Sequence, residues 1–267
     1  MISISSDLLQ SWISGLLWPL TRILAVIATA PLLSNRAIPH RIKIGLGIFI
    51  TIIVVPTLPA LPKVEIFSMP GLLILLQQLI IGTAIGFSLR ILFAAVEMAG
   101  QLSSMTMGLG FASFFDPETR GQSTAISQFF GILAMLVLLT TNGHLILINA
   151  LVQSFSTLPI SADGITHING MTMALWAERI FSAGLMMALP VVAALLITNM
   201  ALGILTRTAP QLNLFGIGFP ITIGMGFLVL ALTLPGMLKP MQHLLDESFN
   251  FISTIGTSSP NQATINR

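Results

Sequence analysis

The amino-acid sequence predicts an all-α, polytopic integral membrane protein. Hydrophobic residues fill 54% of the 267 positions and charged residues only 7%, whereas about a quarter of the residues are charged in an ordinary soluble domain. Backbone groups inside lipid must be hydrogen-bonded within their own segment, and no alternating strand pattern is present, so the apolar blocks are predicted to be helices. Six blocks approach or exceed the roughly 20 residues that cross a bilayer, at about 8–33, 44–61, 70–96, 126–158, 171–206 and 212–238.

The first block and the loop that follows it predict the orientation in the membrane. The residues before the block lack the positive charge of a cleavable signal peptide, and Pro31 follows the cleavage-like Ala28-Thr29-Ala30, so we expect a retained helix. The next loop carries Arg36, Arg41 and Lys43, the densest positive cluster in the chain. The positive-inside rule places this loop in the cytoplasm and both termini on the opposite side.

The second and third blocks are predicted to be simple spanning helices. Gly82 and Gly86 in the third block are explained by close helix packing, which small residues allow in a membrane. We give the same interpretation to Gly224 and Gly226 in the sixth block. Nucleotide binding is not expected at Gly108-Leu109-Gly110-Phe111 or at Gly216-Ile217-Gly218-Phe219, because the rest of a glycine-rich phosphate fingerprint is missing.

The fourth and fifth blocks do not fit single spans. Asn142-Gly143-His144 interrupts residues 126–158, so a hairpin of two short helices and one long helix are both open. Residues 171–206 would form about 54 Å of helix, against roughly 30 Å of hydrocarbon. This block must tilt, break near Pro190 or leave the bilayer. The pattern suggests a subunit that other proteins surround.

Five charged side chains lie inside apolar blocks, where each costs at least about 2.5 kcal/mol unless it is paired or hydrated. These candidates for buried charge and assembly are Arg22, Arg90, Glu97, Glu178 and Arg179. For Arg22, deep in the first block, we expect a carboxylate partner or helix-end carbonyls within an assembly. Arg90 and Glu97 could instead extend to a helix end, and Glu178 and Arg179 could lie at the membrane interface.

The sequence contains no recognisable catalytic, cofactor or metal constellation. Cysteine is absent, and His40, His144, His167 and His243 lack metal-ligand spacing. No nucleophile and base can be paired, and the few basic residues do not form a nucleic-acid surface. We therefore expect no enzymatic activity, no cofactor and no nucleic acid, and we interpret His144 as a polar turn residue.

The stretch from Gln101 to Ser123 differs from the other connections. It mixes glycine, methionine and phenylalanine, which give backbone freedom and deformable apolar bulk, and it ends at the helix breaker Asp116-Pro117. From the residues alone, a gating loop and ordinary core packing explain it equally well. The candidate loop residues are Met105, Met107, Gly108, Leu109, Gly110, Phe111, Ala112, Ser113, Phe114, Phe115, Asp116 and Pro117.

Taken together and in order, several short strings resemble the FliR/SctT family of type III secretion export-gate proteins. They are Trp18-Pro19-Leu20-Thr21-Arg22, Ala30-Pro31-Leu32-Leu33-Ser34 with Pro39, Met107 to Phe114 with Asp116-Pro117, Asn142-Gly143-His144, and Ala209 to Asn213 with Gly218-Phe219-Pro220. No single string is specific. Their common order and spacing cover nearly the whole chain.

The resemblance implies a core subunit of the flagellar export gate in the bacterial inner membrane and flagellar basal body. One copy would assemble with FliP and FliQ into a helical, dome-like channel, completed by FlhB and FlhA, that passes unfolded flagellar proteins. The family's plug loop corresponds to Met107 to Pro117. We expect one membrane-embedded domain over 1–255, in contact with lipid, and a polar, flexible tail over 256–267.

Two other functions compete with the export gate. A small-solute secondary transporter is favoured by the intramembrane arginines and by a repeated string, Thr29-Ala30-Pro31-Leu32-Leu33 and Thr208-Ala209-Pro210-Gln211-Leu212. A transporter would need a substrate site at the midplane and would work without partner subunits. A membrane-embedded hydrolase would need a nucleophile and base that the sequence does not offer.

Overall fold

The computed structural model describes residues 6–35, 37–59, 62, 64–111, 124–161, 170–209 and 217–255, and these ranges contain helices and no strand. The prediction of an all-α membrane protein is therefore confirmed. The helices are α1 (Ser6–Thr29), α2 (His40–Val54), α3 (Met69–Thr106), α4 (Ala125–Thr140), α5 (Gly143–Thr157), α6 (Gly170–Ala177), α7 (Arg179–Thr208) and α8 (Phe219–Thr254). Short 3-10 helices cover Val55–Thr57 and Leu109–Phe111.

Two helices are much longer than their apolar blocks predict. The third block ends at 96, but α3 continues to Thr106, and the sixth ends at 238, but α8 continues to Thr254. Hydropathy marks where a helix is apolar rather than where its backbone hydrogen bonding ends, and both extensions carry polar residues. The beginning of the stretch from Gln101 is therefore helix and not loop.

The two unusual blocks each consist of two helices. In the fourth, the break falls between α4 and α5, where Asn142 adopts the left-handed conformation with φ 56°, which asparagine tolerates better than most residues. In the fifth, Glu178 separates α6 from α7, but its backbone angles are helical and Gly170–Thr208 counts as one candidate span; Pro190 lies inside α7. Proline is tolerated in membrane helices because neighbouring groups satisfy the backbone carbonyl it frees. Of the three alternatives for residues 171–206, the break near Pro190 is therefore wrong.

The chain divides into two compact units, which are described separately. The first contains α1, α2, α3 up to Arg90, α5, α6 up to Trp176 and the end of α8 from Asp246. Its core includes fully buried Trp18, Ile23, Ile81 and Phe155. The second contains the remainder of α3, together with α4, α7 and most of α8, and its core includes Met107, Phe130, Val191 and Leu195.

Glycine contacts hold α1 close to α3 in the first unit. A Cβ added at Gly82 would meet the carbonyl oxygen of Arg22 and would lie 2.6 Å from the Cβ of Ala25. At Gly86, an added Cβ would lie 2.9 Å from the backbone nitrogen of Ala30. The predicted close packing at Gly82 and Gly86 is thus confirmed, because neither position has room for a methyl group.

The two glycines of α8, which were also expected to pack closely, differ from each other in their contacts. Gly226 meets the side chain of Met107, whereas nothing lies within 4 Å of a Cβ added at Gly224. The prediction is therefore confirmed for Gly226 and wrong for Gly224 within the described part of the chain. Two residues along a helix is about 200° of rotation, so both glycines cannot face the same neighbour.

Four helical segments in the described ranges are long and apolar enough to cross a membrane, or five if α4 and α5 together make one span. The described apolar part of α1, Gly15–Thr29, is too short to count among them. In the most apolar 18 residues of α3, 67% of the positions are buried, compared with 17% in the α2 segment and 22% in the most apolar 18 residues of α8. Thus α2 and α8 present more apolar side chains outward than α3 does.

We expect Gly82→Ala to lower the free energy of unfolding by about 1–3 kcal/mol, because the atoms it would meet belong to the backbone and Ala25 of α1 and cannot rotate away. Gly45→Ala in α2 is the matched control, since nothing lies within 4 Å of its added Cβ. Thermal unfolding of the detergent-solubilised protein measures both. Equal midpoints for the two variants would contradict the close α1–α3 packing.

Candidate functional site

Arg22 on α1 is the one member of the five predicted charges that is buried in the chain, with 0% of its surface exposed. Its Nε donates to Oε1 of Gln78 on α3 at 2.8 Å. Its Nη1 donates to the backbone oxygen of Ser154 at 2.8 Å and to the hydroxyl oxygen of Ser154 at 3.1 Å. Its Nη2 donates to the backbone oxygen of Leu158 at 2.8 Å. The guanidinium thus connects α1, α3 and α5.

The two carbonyl acceptors belong to the C-terminal end of α5, for which Leu158 is the capping residue. The last carbonyls of a helix have no partner in the helix itself, and this end carries the negative partial charge of the helix dipole. The ring of Phe155 adds a cation–π contact, with its centroid 4.2 Å from Cζ of Arg22. Arg22 is therefore held by a helix end and an aromatic ring, and none of these partners is a carboxylate.

This geometry distinguishes between the two kinds of partner expected for Arg22, a carboxylate and helix-end carbonyls. Helix-end carbonyls, rather than a carboxylate, accept its hydrogen bonds, and they come from the same chain rather than from another subunit. The sequence reasoning missed Gln78 and Ser154. The Gln77-Gln78 pair in the middle of an apolar block was an available signal, because two adjacent amides in such a block require partners.

Two buried donors next to this network have no acceptor among the described residues. They are Nε1 of Trp18, one helical turn before Arg22, and Nε2 of Gln78, whose carbonyl oxygen serves Arg22. The buried hydroxyl of Ser154 also donates to the backbone oxygen of Leu151 at 2.7 Å. The network is therefore strongly polar inside an apolar unit, which makes the positions of α1, α3 and α5 interdependent.

The other four charges are placed differently from Arg22. Arg90 and Glu97 on α3, Glu178 between α6 and α7, and Arg179 at the start of α7 are all exposed in the single chain. His144, expected in a turn, lies in the first turn of α5 and is partly buried. The described part of the chain holds no cluster of three or more metal-ligating His, Asp or Glu residues.

The predicted loop begins with residues that are fixed to α8 in the second unit. Met107 is 0% exposed, and its backbone oxygen lies 3.5 Å from the hydroxyl of Thr222. Gly108 has a φ of 83°, a conformation that favours glycine, and an added Cβ would lie 2.9 Å from the ring of Phe219. Met105, in contrast, is 60% exposed.

The structure describes the candidate loop only as far as Phe111. Leu109 to Phe111 form a 3-10 turn, with Leu109 and Gly110 partly buried. Ala112, Ser113, Phe114, Phe115, Asp116 and Pro117 lie outside the described residues. For Met107 the structure shows core packing, and the gating interpretation of the residues after Gly108 stays a prediction.

The chain is similar to known proteins over nearly its full length. Residues 13–248 match the family described as bacterial export proteins, family 1. The flagellar biosynthetic protein FliR of Pectobacterium carotovorum is 45% identical over 257 residues, which covers 96% of this chain and 98% of that protein. FliR of Escherichia coli K12 is 41% identical over 97% of this chain and 99% of its own length. FliR of Bacillus subtilis is 29% identical over 89% of this chain and 94% of its own length.

We expect Arg22→Met to lower the free energy of unfolding by about 3 kcal/mol, because three buried acceptors on α3 and α5 lose a charged donor. Arg22→Lys should lose less, since an ammonium keeps the charge but cannot reproduce the forked geometry. Thermal unfolding in detergent and resistance to proteolysis measure the effect.

Arg90→Met is the matched control for Arg22→Met. It removes the same charge from an exposed position on α3 and should change stability by less than about 0.5 kcal/mol in the isolated chain. If Arg22→Met is as mild as Arg90→Met, the hydrogen bonds to the end of α5 do not stabilise the unit.

Proposed function

The chain belongs to the family of bacterial export proteins that matches it over residues 13–248, and on this basis we propose that it is a core subunit of the flagellar type III export gate. The observation that carries the proposal is the similarity to FliR, at 45% identity over 96% of this chain and 98% of the relative. The proposed location is the bacterial inner membrane, within the flagellar basal body. The substrates are unfolded flagellar proteins.

The surface of the chain supports assembly with other subunits. Large apolar side chains are exposed along α2 and α7, including Phe49, Phe181, Met186 and Met200. In addition, α8 has 36 residues, about 54 Å of helix, which is far longer than the hydrocarbon core. Such helices need protein as well as lipid around them. We assign FliP and FliQ as the channel partners, and FlhB and FlhA as the neighbouring export proteins.

The loop from Met107 to Pro117 is proposed to plug the closed channel. A pore that admits unfolded chains must still exclude ions when it is idle, so its seal must be apolar yet able to yield. The mixture of glycine, methionine and phenylalanine suits this task. The start of the loop is fixed at Met107, so a plug would move from Gly108 onward.

The secondary-transporter alternative is less well supported. An intramembrane arginine could hold an anionic solute at the midplane, but Arg22 is completely buried and already donates to Gln78, Ser154 and Leu158. Little hydrogen-bonding capacity remains for a solute. The second copy of the repeated string cannot be compared structurally, because residues 210–212 lie outside the described ranges.

Deleting residues 109–115 tests the plug while keeping Met107 and Gly108 in place. We expect the complex with FliP and FliQ to form in normal amount and the idle membrane to conduct ions and small solutes that it normally excludes, because the seal is lost. Conductance and complex yield are measured on the same cells. A chain shortened by residues 256–267 is the control and should not leak. An assembled but tight deletion variant would exclude the plug.

Assembly with partners is tested by expression with and without FliP and FliQ. The apolar faces of α2 and α7 should cause most of the lone chain to aggregate or be degraded, whereas co-expression should give a stable multi-subunit complex in mild detergent at a much higher yield. Size-exclusion chromatography of the detergent extracts distinguishes the two. Recovery of a monodisperse lone chain that binds small solutes would favour the transporter instead.

A further inference from the structure

We propose that Met107 is the positioning residue of the loop and that Gly226 on α8 is the socket that holds it. This inference rests on the proposed plug and names what fixes the plug's starting point. Met107 and Gly226 are 119 positions apart in the sequence, yet the Met107 side chain packs directly on the backbone of α8. Their contact sets where the chain leaves α3 and enters the loop.

The absence of a side chain at 226 creates the space that Met107 occupies. A Cβ added at Gly226 would meet Cγ of Met107 and would lie 2.7 Å from its Cε and 2.9 Å from its Sδ. Three consecutive atoms along the methionine therefore lie in the volume that any other residue at 226 would need. Gly224, two positions earlier on the same helix, has nothing within 4 Å of an added Cβ.

Displacing Met107 should move the backbone after it. The atom nearest to the added Cβ is Cγ, close to the root of the side chain, so rotation about the terminal bonds of Met107 cannot relieve the clash. The next residue, Gly108, has a φ of 83° and lies against the ring of Phe219, also on α8. Met107 and Gly108 are thus held by one face of one helix, and a change at Gly226 is transmitted to the loop.

The chain has no cysteine, so a single introduced cysteine can report the position of the loop. Gly110 is suited to this purpose, because no atom of the described residues lies within 4 Å of a Cβ added there and its φ is not positive. The Gly110→Cys chain is assembled with its partners in membranes and treated with a water-soluble maleimide. The labelling rate then measures the exposure of position 110, whether or not the pore leaks.

In this background, Gly226→Ala should displace the start of the loop and change the labelling rate. We expect the labelling rate to change by about five- to 150-fold, because movement of the loop relieves the overpacking at position 226. Gly224→Ala, the matched control, should label like the parent chain. Met107→Ala should also change the rate, and adding Gly226→Ala to Met107→Ala should change it no further, because the clash requires the methionine.

The outcomes separate this inference from the plug itself. An unchanged labelling rate in Gly226→Ala, or additive effects in the double variant, would overturn the socket. Loss of the assembled complex in both Gly226→Ala and Met107→Ala would also overturn it, because Met107 would then act on stability and not on position. If labelling changes as expected while deletion of residues 109–115 causes no leak, the socket stands and the plug fails. If the deletion causes a leak while labelling in Gly226→Ala is unchanged, the plug stands and the socket is wrong.

Discussion

The burial of one positive charge without a carboxylate constrains the first unit more than any other interaction. The guanidinium of Arg22 stays protonated, and burying it without hydrogen-bond partners would be very costly. Other parts of the chain must therefore provide acceptors for it. Gln78 and the C-terminal carbonyls of α5 supply them. These acceptors come from helices far apart in the sequence, so α1, α3 and α5 must pack together for the charge to be tolerated. The small residues Gly82 and Gly86 allow α1 and α3 to approach closely.

Because of this constraint, the stability of the first unit and its assembly with other subunits depend on different interactions. Because the charge is satisfied internally, the first unit does not need another subunit to neutralise Arg22. The chain also presents large apolar surfaces outward, since only 17% of the residues in the α2 segment are buried and α7 exposes Phe181, Met186 and Met200. Over these surfaces, dispersion and shape complementarity are the interactions available to lipid or to neighbouring subunits.

In the second unit, α3 ends against α8, just before the loop that is proposed to plug the channel. Ser103 and Ser104 on α3 are buried, and their helix continues almost to Met107. There the chain changes direction at Gly108, whose positive φ ends the helix while the Met107 side chain lies against α8. In the proposed plug, the packing of Met107 would fix the start of the loop, and movement would begin beyond it.

The sequence by itself determined the membrane-protein class, the helical character and the unusual position of Arg22, because each follows from local composition or from the cost of a charge in an apolar block. It also identified Gly82 and Gly86 as packing glycines, but it left open whether residues 126–158 form one helix or two, and the structure shows two. Only the tertiary structure decided that Arg22 caps α5, that Met107 packs against Gly226 while Gly224 is open, and that α7 continues through Pro190. These outcomes depend on which distant helix lies opposite each residue, and hydropathy and spacing within one segment contain no such information.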